Sequence, residues 1–213
     1  MFGWPRFAAR LSGRGSSEEA IASLLGELGE PTPAPSATEV FSALFEDGRL
    51  VAALAGFAPR VDHAGFVAPP VGVAVIESLL ERSPFRHRAR RLKSTVLAKE
   101  LSVRMGRDVE VTLLHASAAT PARFPAVEVF VADLPTAEVG GLVAAEFGCH
   151  VALAVGPDGS LDRVRRVLRA NGHFEVPLMR DGPLANDELR ASLIYVDVAG
   201  RERTRRLEFI AAG

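Results

Sequence analysis

Four short segments of the chain place a histidine or a glutamate on the strand face opposite an apolar row. In VDHAGFVA (61–68), His63, Gly65 and Val67 share one face. In CHVALAV (149–155), Cys149, Val151, Leu153 and Val155 face one side and His150, Ala152 and Ala154 the other. PAVEVFVADLP (125–135) sets Ala126, Glu128 and Phe130 against Val127, Val129 and Val131. RTRRLEFIA (203–211) sets Arg206, Glu208 and Ile210 against Leu207, Phe209 and Ala211. Each histidine and glutamate therefore stands opposite an apolar row suited to receive a helix. Curled into one cavity, two imidazoles and one or two carboxylates suit a divalent transition metal. His63, His150 and Glu208 as ligands leave positions open on Fe(II) for dioxygen and an oxygenated substrate. Adding Glu128 gives a set of two histidines and two glutamates, better suited to Lewis-acid work with Ni, Co, Zn or Mn.

Glu128 is also the candidate catalytic base, since a carboxylate beside a chelated substrate can move a proton between adjacent carbons. Arg206 shares the parity of Glu208 and is the candidate substrate-binding residue, able to fork onto a carboxylate or phosphate. Each assignment has a plain structural alternative. A strand-end histidine can simply be hydrogen-bonded, and Glu208 could pair with Arg206 or Arg180. His115 is expected to be exposed at a strand end, His87 to sit in a basic run, and His173 to sit in a turn. Tyr195 is expected in the core, and Cys149 to be buried and inert on the helix side.

The elements that must position these residues follow from periodicity. SSEEAIASLLGELGE (16–30) reads as a capped helix with Ile21, Leu24, Leu25 and Leu28 on one face. PTPAPSA (31–37) is a proline-rich linker, and 38–57 resumes a helix that breaks at Asp47-Gly48. Residues 1–58 thus form an arm and helical extension, followed by modules at 59–135 and 136–213. In the first module, a strand at 61–68 precedes a helix at 71–83 and a partly extended basic connector at 86–93. Strands are then expected at 96–104 and 108–116, flanking a hairpin turn at Met105-Gly106-Arg107, and at 125–135. After a connector at 136–148 the order repeats: strand 149–155, helix 160–172, strand 173–178, then a polar loop at 179–190 that could act as a lid. Strands 191–198 and 203–211, joined through Ala199-Gly200, complete it. The expected fold is α+β: paired βαβββ modules forming a curved mixed sheet around one metal cavity, with an N-terminal helical extension.

Composition narrows the chemistry. Among 213 residues, 25 Lys and Arg nearly balance 26 Asp and Glu, which argues against a dedicated nucleic-acid binder. The single cysteine excludes a disulfide framework and any multi-cysteine zinc site, so a metal must be held by histidine and carboxylate. No apolar run is long enough to cross a bilayer, and the N-terminus lacks a secretory apolar stretch, so a cytoplasmic protein is expected. A small-molecule substrate is the expected partner, with no nucleic acid and no membrane, and a homodimer is compatible with this composition.

On these residues the chain resembles the vicinal oxygen chelate superfamily, the glyoxalase, bleomycin-resistance and dioxygenase group. The resemblance covers 60–211 and rests on "VDH" opening the first module, His150 opening the second, and "LEF" near the C-terminus. In layout it most resembles the YecM-type predicted metal-binding proteins, with a Gly106-Arg107 turn and Leu134-Pro135 after the fourth strand. A larger dioxygenase family of the same superfamily uses a His, His, Glu iron site. It carries an arginine where this chain has Val67, so its substrate does not carry over. The resemblance implies a metal-dependent enzyme acting on a small keto- or hydroxy-acid-like molecule, an Fe(II) dioxygenase ahead of a glyoxalase-like lyase or isomerase. The alternative is a non-catalytic binding protein of the resistance type, although such members usually lack the ligands retained here. A third reading makes 1–58 a docking arm for another protein.

Overall fold

The structure, a computed structural model, describes residues 3–12, 15–156, 160–176, 184–186, 191–199 and 204–212. In chain order the elements are α1 (Phe7–Leu11), α2 (Ser17–Leu28), α3 (Ala37–Ser42), α4 (Gly48–Phe57), β1 (Arg60–Val67), α5 (Val73–Glu81), β2 (His87–Lys93) and α6 (Thr95–Met105). There follow β3 (Val111–Ser117), β4 (Ala126–Ala132), α7 (Thr136–Ala144), β5 (His150–Ala154), α8 (Leu161–Ala170), β6 (Leu184–Asn186), β7 (Ala191–Ala199) and β8 (Thr204–Ala212). The protein is α+β, and it contains the expected pair of βαβββ modules. Among the described residues no helix is long and apolar enough to cross a membrane.

Local chemistry sets the helix starts. Ser16 and Glu19 form a reciprocal capping box on α2, and Ser36 and Glu39 do the same on α3. The Ser36 amide and hydroxyl hold the Glu39 carboxyl below its ordinary range. Asp47 accepts from the amides of Arg49 and Leu50, so the Asp47-Gly48 break is the N-cap of α4. The expected arm contains α1, which buries Phe7 and Leu11.

The chain divides into two compact units. One comprises Pro5–Ala34 and His63–Cys149. Its sheet runs β2-β3-β4-β1, with β1 parallel to β4 and the other two pairs antiparallel. One sequence expectation fails here. Residues 96–104 form helix α6 rather than a strand: Ser94 accepts from the Leu97 amide, Val96, Leu97 and Leu101 are buried, and Gly106 ends the helix at φ 65°. The basic connector, expected to be partly extended, contains strand β2, an edge strand held by its ladder to β3. The expected connector at 136–148 contains α7, whose Val139, Leu142 and Val143 form a buried stripe.

The other unit holds Pro35–Asp62 and the described residues from His150 on, with Gly3 and Trp4. Its sheet runs β5-β8-β7-β6, with β5 parallel to β8 and the rest antiparallel, which repeats the plan of the first. The expected strand at 173–178 is reduced to one bridge, Glu175 to Val196, within the described 173–176. The short strand β6 lies inside the expected polar loop; the rest of that loop, and the Gly200 end of the expected hairpin, lie outside the described residues.

Each unit covers one sheet face with a phenylalanine from its own N-terminal helices. Phe7 stacks on Phe66 at 6.2 Å between centroids, and Phe41 on Phe209 at 6.0 Å. All four rings are fully buried, and each stabilises its unit by roughly 1.5–3 kcal/mol. Phe66 alternates with His63 and Gly65, and Phe209 alternates with Glu208. The helices therefore take the apolar face and leave the histidines and glutamates on the other.

Candidate metal centre

In the first module the parallel β1–β4 register sets His63 against Ala126 and Gly65 against Glu128. Histidine and glutamate are thus one pleat period apart on one face. The His63 Nε2 lies 3.4 Å from Glu128 Oε2, with the residues 2% and 4% exposed. Across the β3–β4 ladder His115 is directly opposite Glu128, and its ring stands edge-on to His63 at 6.2 Å.

The second module reproduces this register. On β5 and β8, His150 is set against Arg206 and Ala152 against Glu208. The His150 Nε2 lies 3.0 Å from Glu208 Oε2, with the residues 0% and 2% exposed. Tyr195 is directly opposite Glu208 across β7–β8, and its ring meets His150 edge-on at 5.3 Å. Three positions therefore repeat: histidine on the first strand, glutamate on the last, and an aromatic ring on the strand between the last and the edge.

The modules differ where Ala126 of the first is replaced by Arg206 of the second. Arg206 forks onto Asp197: its Nε and one Nη donate to the two carboxylate oxygens at 2.8 and 3.0 Å. The guanidinium also lies 5.6 Å from the Tyr195 ring centroid. Arg180, the other partner considered for Glu208, lies outside the described residues.

A buried carboxylate is costly unless it is paired or ligating, and in each unit an imidazole stands beside it. Nitrogen and oxygen donors without thiolate fit Fe, Mn, Co, Ni or Zn. His63, Glu128, His150 and Glu208 are a buried group of ligating side chains that could hold a metal ion. The remaining histidines stand elsewhere. His87 is exposed on the edge strand. His173 packs against Phe45 at 4.9 Å, and burial lowers its pKa.

Sequence reasoning missed the roles of His115 and Tyr195. His115 is not at a strand end, because β3 continues to Ser117. Tyr195 is buried as expected, yet it borders His150. The signal available was hairpin pairing, which sets each ring opposite a glutamate already singled out.

No family model and no curated protein matches the chain. Among solved structures it is similar to methylmalonyl-CoA epimerase from Mycobacterium tuberculosis, with 13% identity, a TM-score of 0.47, and coverage of 74% of this chain and 90% of that one. It is also similar to a triple mutant of 4-hydroxymandelate synthase from Streptomyces coelicolor, with 14% identity, a TM-score of 0.49, and coverage of 73% and 49%. A variant of Streptomyces coelicolor methylmalonyl-CoA epimerase, in complex with 2-nitronate-propionyl-CoA, gives 14%, 0.45, 73% and 99%.

Proposed function

We propose that the protein is a metal-dependent enzyme of the vicinal oxygen chelate type, with His63, His150 and Glu208 holding one divalent ion. The observation that carries this reading is the repeated register, which buries an imidazole against a carboxylate at equivalent places in both modules. A structural ion pair needs no such repetition. When bound, the ion would act as a Lewis acid on a chelated carbonyl, carboxylate or hydroxyl oxygen of a small keto- or hydroxy-acid-like substrate. Glu128 is the proposed base, moving a proton at the carbon next to that oxygen. Arg206, in the same row as His150, would contact the chelating end of the substrate, with Asp197 fixing its fork. With Glu128 kept as base, two histidines and one carboxylate favour Fe(II) and an oxygenase. Glu128 as a fourth ligand would favour Ni, Co, Zn or Mn and a lyase or isomerase.

Three measurements separate these readings. Protein reconstituted anaerobically with Fe(II) should consume oxygen with a member of an α-keto and α-hydroxy acid panel. Deuterium exchange at the α-carbon without oxygen uptake would make it a lyase or isomerase. Ligand binding that persists after metal removal, with neither reaction, would make it a non-catalytic binder.

Tyr195 should matter to this centre through its ring. Tyr195→Ala is expected to weaken metal binding about 10- to 100-fold by freeing the His150 ring, whereas Tyr195→Phe retains it within about threefold. Competition against a chromogenic chelator measures both. Equal losses in the two variants would mean that the hydroxyl, not the packing, is what counts.

A further inference from the structure

One row of side chains crosses the whole sheet of the first module. Arg90 on β2 is directly opposite His115 on β3, His115 is opposite Glu128 on β4, and Glu128 is in register with Gly65 on β1. Directly paired residues share a face, so Arg90 belongs to the face that carries His63 and Glu128. Along this row solvent access rises outward: Glu128 is buried, His115 half-buried and Arg90 exposed. Two strand spacings of about 4.8 Å put the Arg90 backbone roughly 10 Å from that of Glu128.

Charge along the edge is one-sided. Strand β2 reads HRARRLK, with no acidic residue, and Arg90 pairs with no carboxylate among the described residues. Basic residues on an edge strand can serve only to block pairing with another sheet. Arg91 and Lys93, on the opposite face, are placed for that. Arg90 differs in standing on the histidine–glutamate row. Among the described residues of the second module, β6 pairs with Ala191 to Leu193, short of Tyr195, and its sequence LAN has no cation.

We propose that Arg90 is a specificity-determining residue that anchors an anionic group of the substrate, a carboxylate or a phosphate, at the end remote from the chelated oxygens. This rests on the proposed metal centre and adds to it the class of substrate: a chelating head and a second, remote anion. The planar fork of arginine suits both anions.

The test uses metal-loaded protein and three hydroxamate chelators of equal chain length, ending in methyl, carboxylate or phosphonate. Titration calorimetry should show the anionic probes binding about tenfold or more tightly than the methyl probe. The tighter of the two names the anion. Arg90→Gln should bring the anionic probes down to the methyl probe, with metal content and methyl-probe affinity unchanged. Arg90→Lys should fall between, because the charge remains without the fork. Arg91→Gln, on the far face, should leave all three affinities as they are. Equal affinities for the three probes in the unaltered protein would overturn the anchor, and so would an anionic preference that survives Arg90→Gln. Failure of the methyl probe to bind metal-loaded protein would instead overturn the metal centre, and the anchor with it.

Discussion

His150→Ala is expected to abolish metal binding, with affinity falling by more than about 100-fold. His150 is fully buried, and its Nε2 stands 3.0 Å from Glu208. Alanine removes a nitrogen donor and leaves the Glu208 carboxylate buried with its imidazole partner gone. Removing one member of a buried pair costs roughly 3–5 kcal/mol, so this variant could fail to fold for reasons unrelated to metal. Glu208→Gln provides the control. It keeps the shape of the side chain and abolishes its charge. Its fold should survive, while metal affinity should still fall at least tenfold, because a carboxamide is a much weaker ligand than a carboxylate. Equilibrium dialysis with elemental analysis reads the metal, and circular dichroism reads the fold. A folded Glu208→Gln protein with undiminished metal affinity would contradict Glu208 as a ligand.

The second large effect lies away from the centre. Glu175 is a buried carboxylate that accepts a hydrogen bond from Arg169 Nε at 3.1 Å and is also ion-paired with Arg165. Both arginines come from α8, and Glu175 bridges to Val196 on β7, so this one carboxylate ties the helix to the sheet. In Glu175→Ala the mostly buried Arg165 keeps Asp162, an exposed partner at 3.4 Å. The expected cost is about 3 kcal/mol, which for a chain of this size lowers Tm by roughly 6–12 °C. Thermal unfolding followed by circular dichroism measures it. A fall of less than about 2 °C would mean that the arginines are satisfied without Glu175.

The shared face of the histidines and glutamates was legible because strand parity is a strict rule. One alternation, read in VDHAGFV and again in HVALA, puts each histidine opposite the phenylalanine-lined face, and the same holds for Glu128 and Glu208. The capped starts of α2 and α4 were legible because Ser16 and Asp47 act through adjacent residues alone. Strand β2 was legible only as a partly extended connector. Its described residues are all exposed except half-buried Leu92, so no burial pattern marks it, and only pairing with β3 makes it a strand. Helix α6 was obscured by Val103, an apolar residue 77% exposed, which made 96–104 resemble an alternating strand. Its signals were the Ser94 cap and the left-handed Gly106 that ends it, where the sequence suggested a hairpin. Glycines 140 and 141 hid α7 in the same way; no atom lies within 4 Å of a Cβ placed at either, so they are tolerated on an open helix face. His115 was misplaced because the end of its strand was set too early, which moved an inward-facing ring to the surface.

The central claim is that the two histidine–glutamate pairs serve a single ion. Purified protein, stripped with chelator and titrated with Fe(II), Co(II) or Zn(II), gives the stoichiometry directly. One tightly bound ion per chain, lost in His63→Ala and His150→Ala alike, is the predicted result. Two equivalent ions per chain, one for each pair, would contradict a shared centre. Absence of near-stoichiometric binding of any of these metals would leave His63–Glu128 and His150–Glu208 as structural pairs and end the metalloenzyme account.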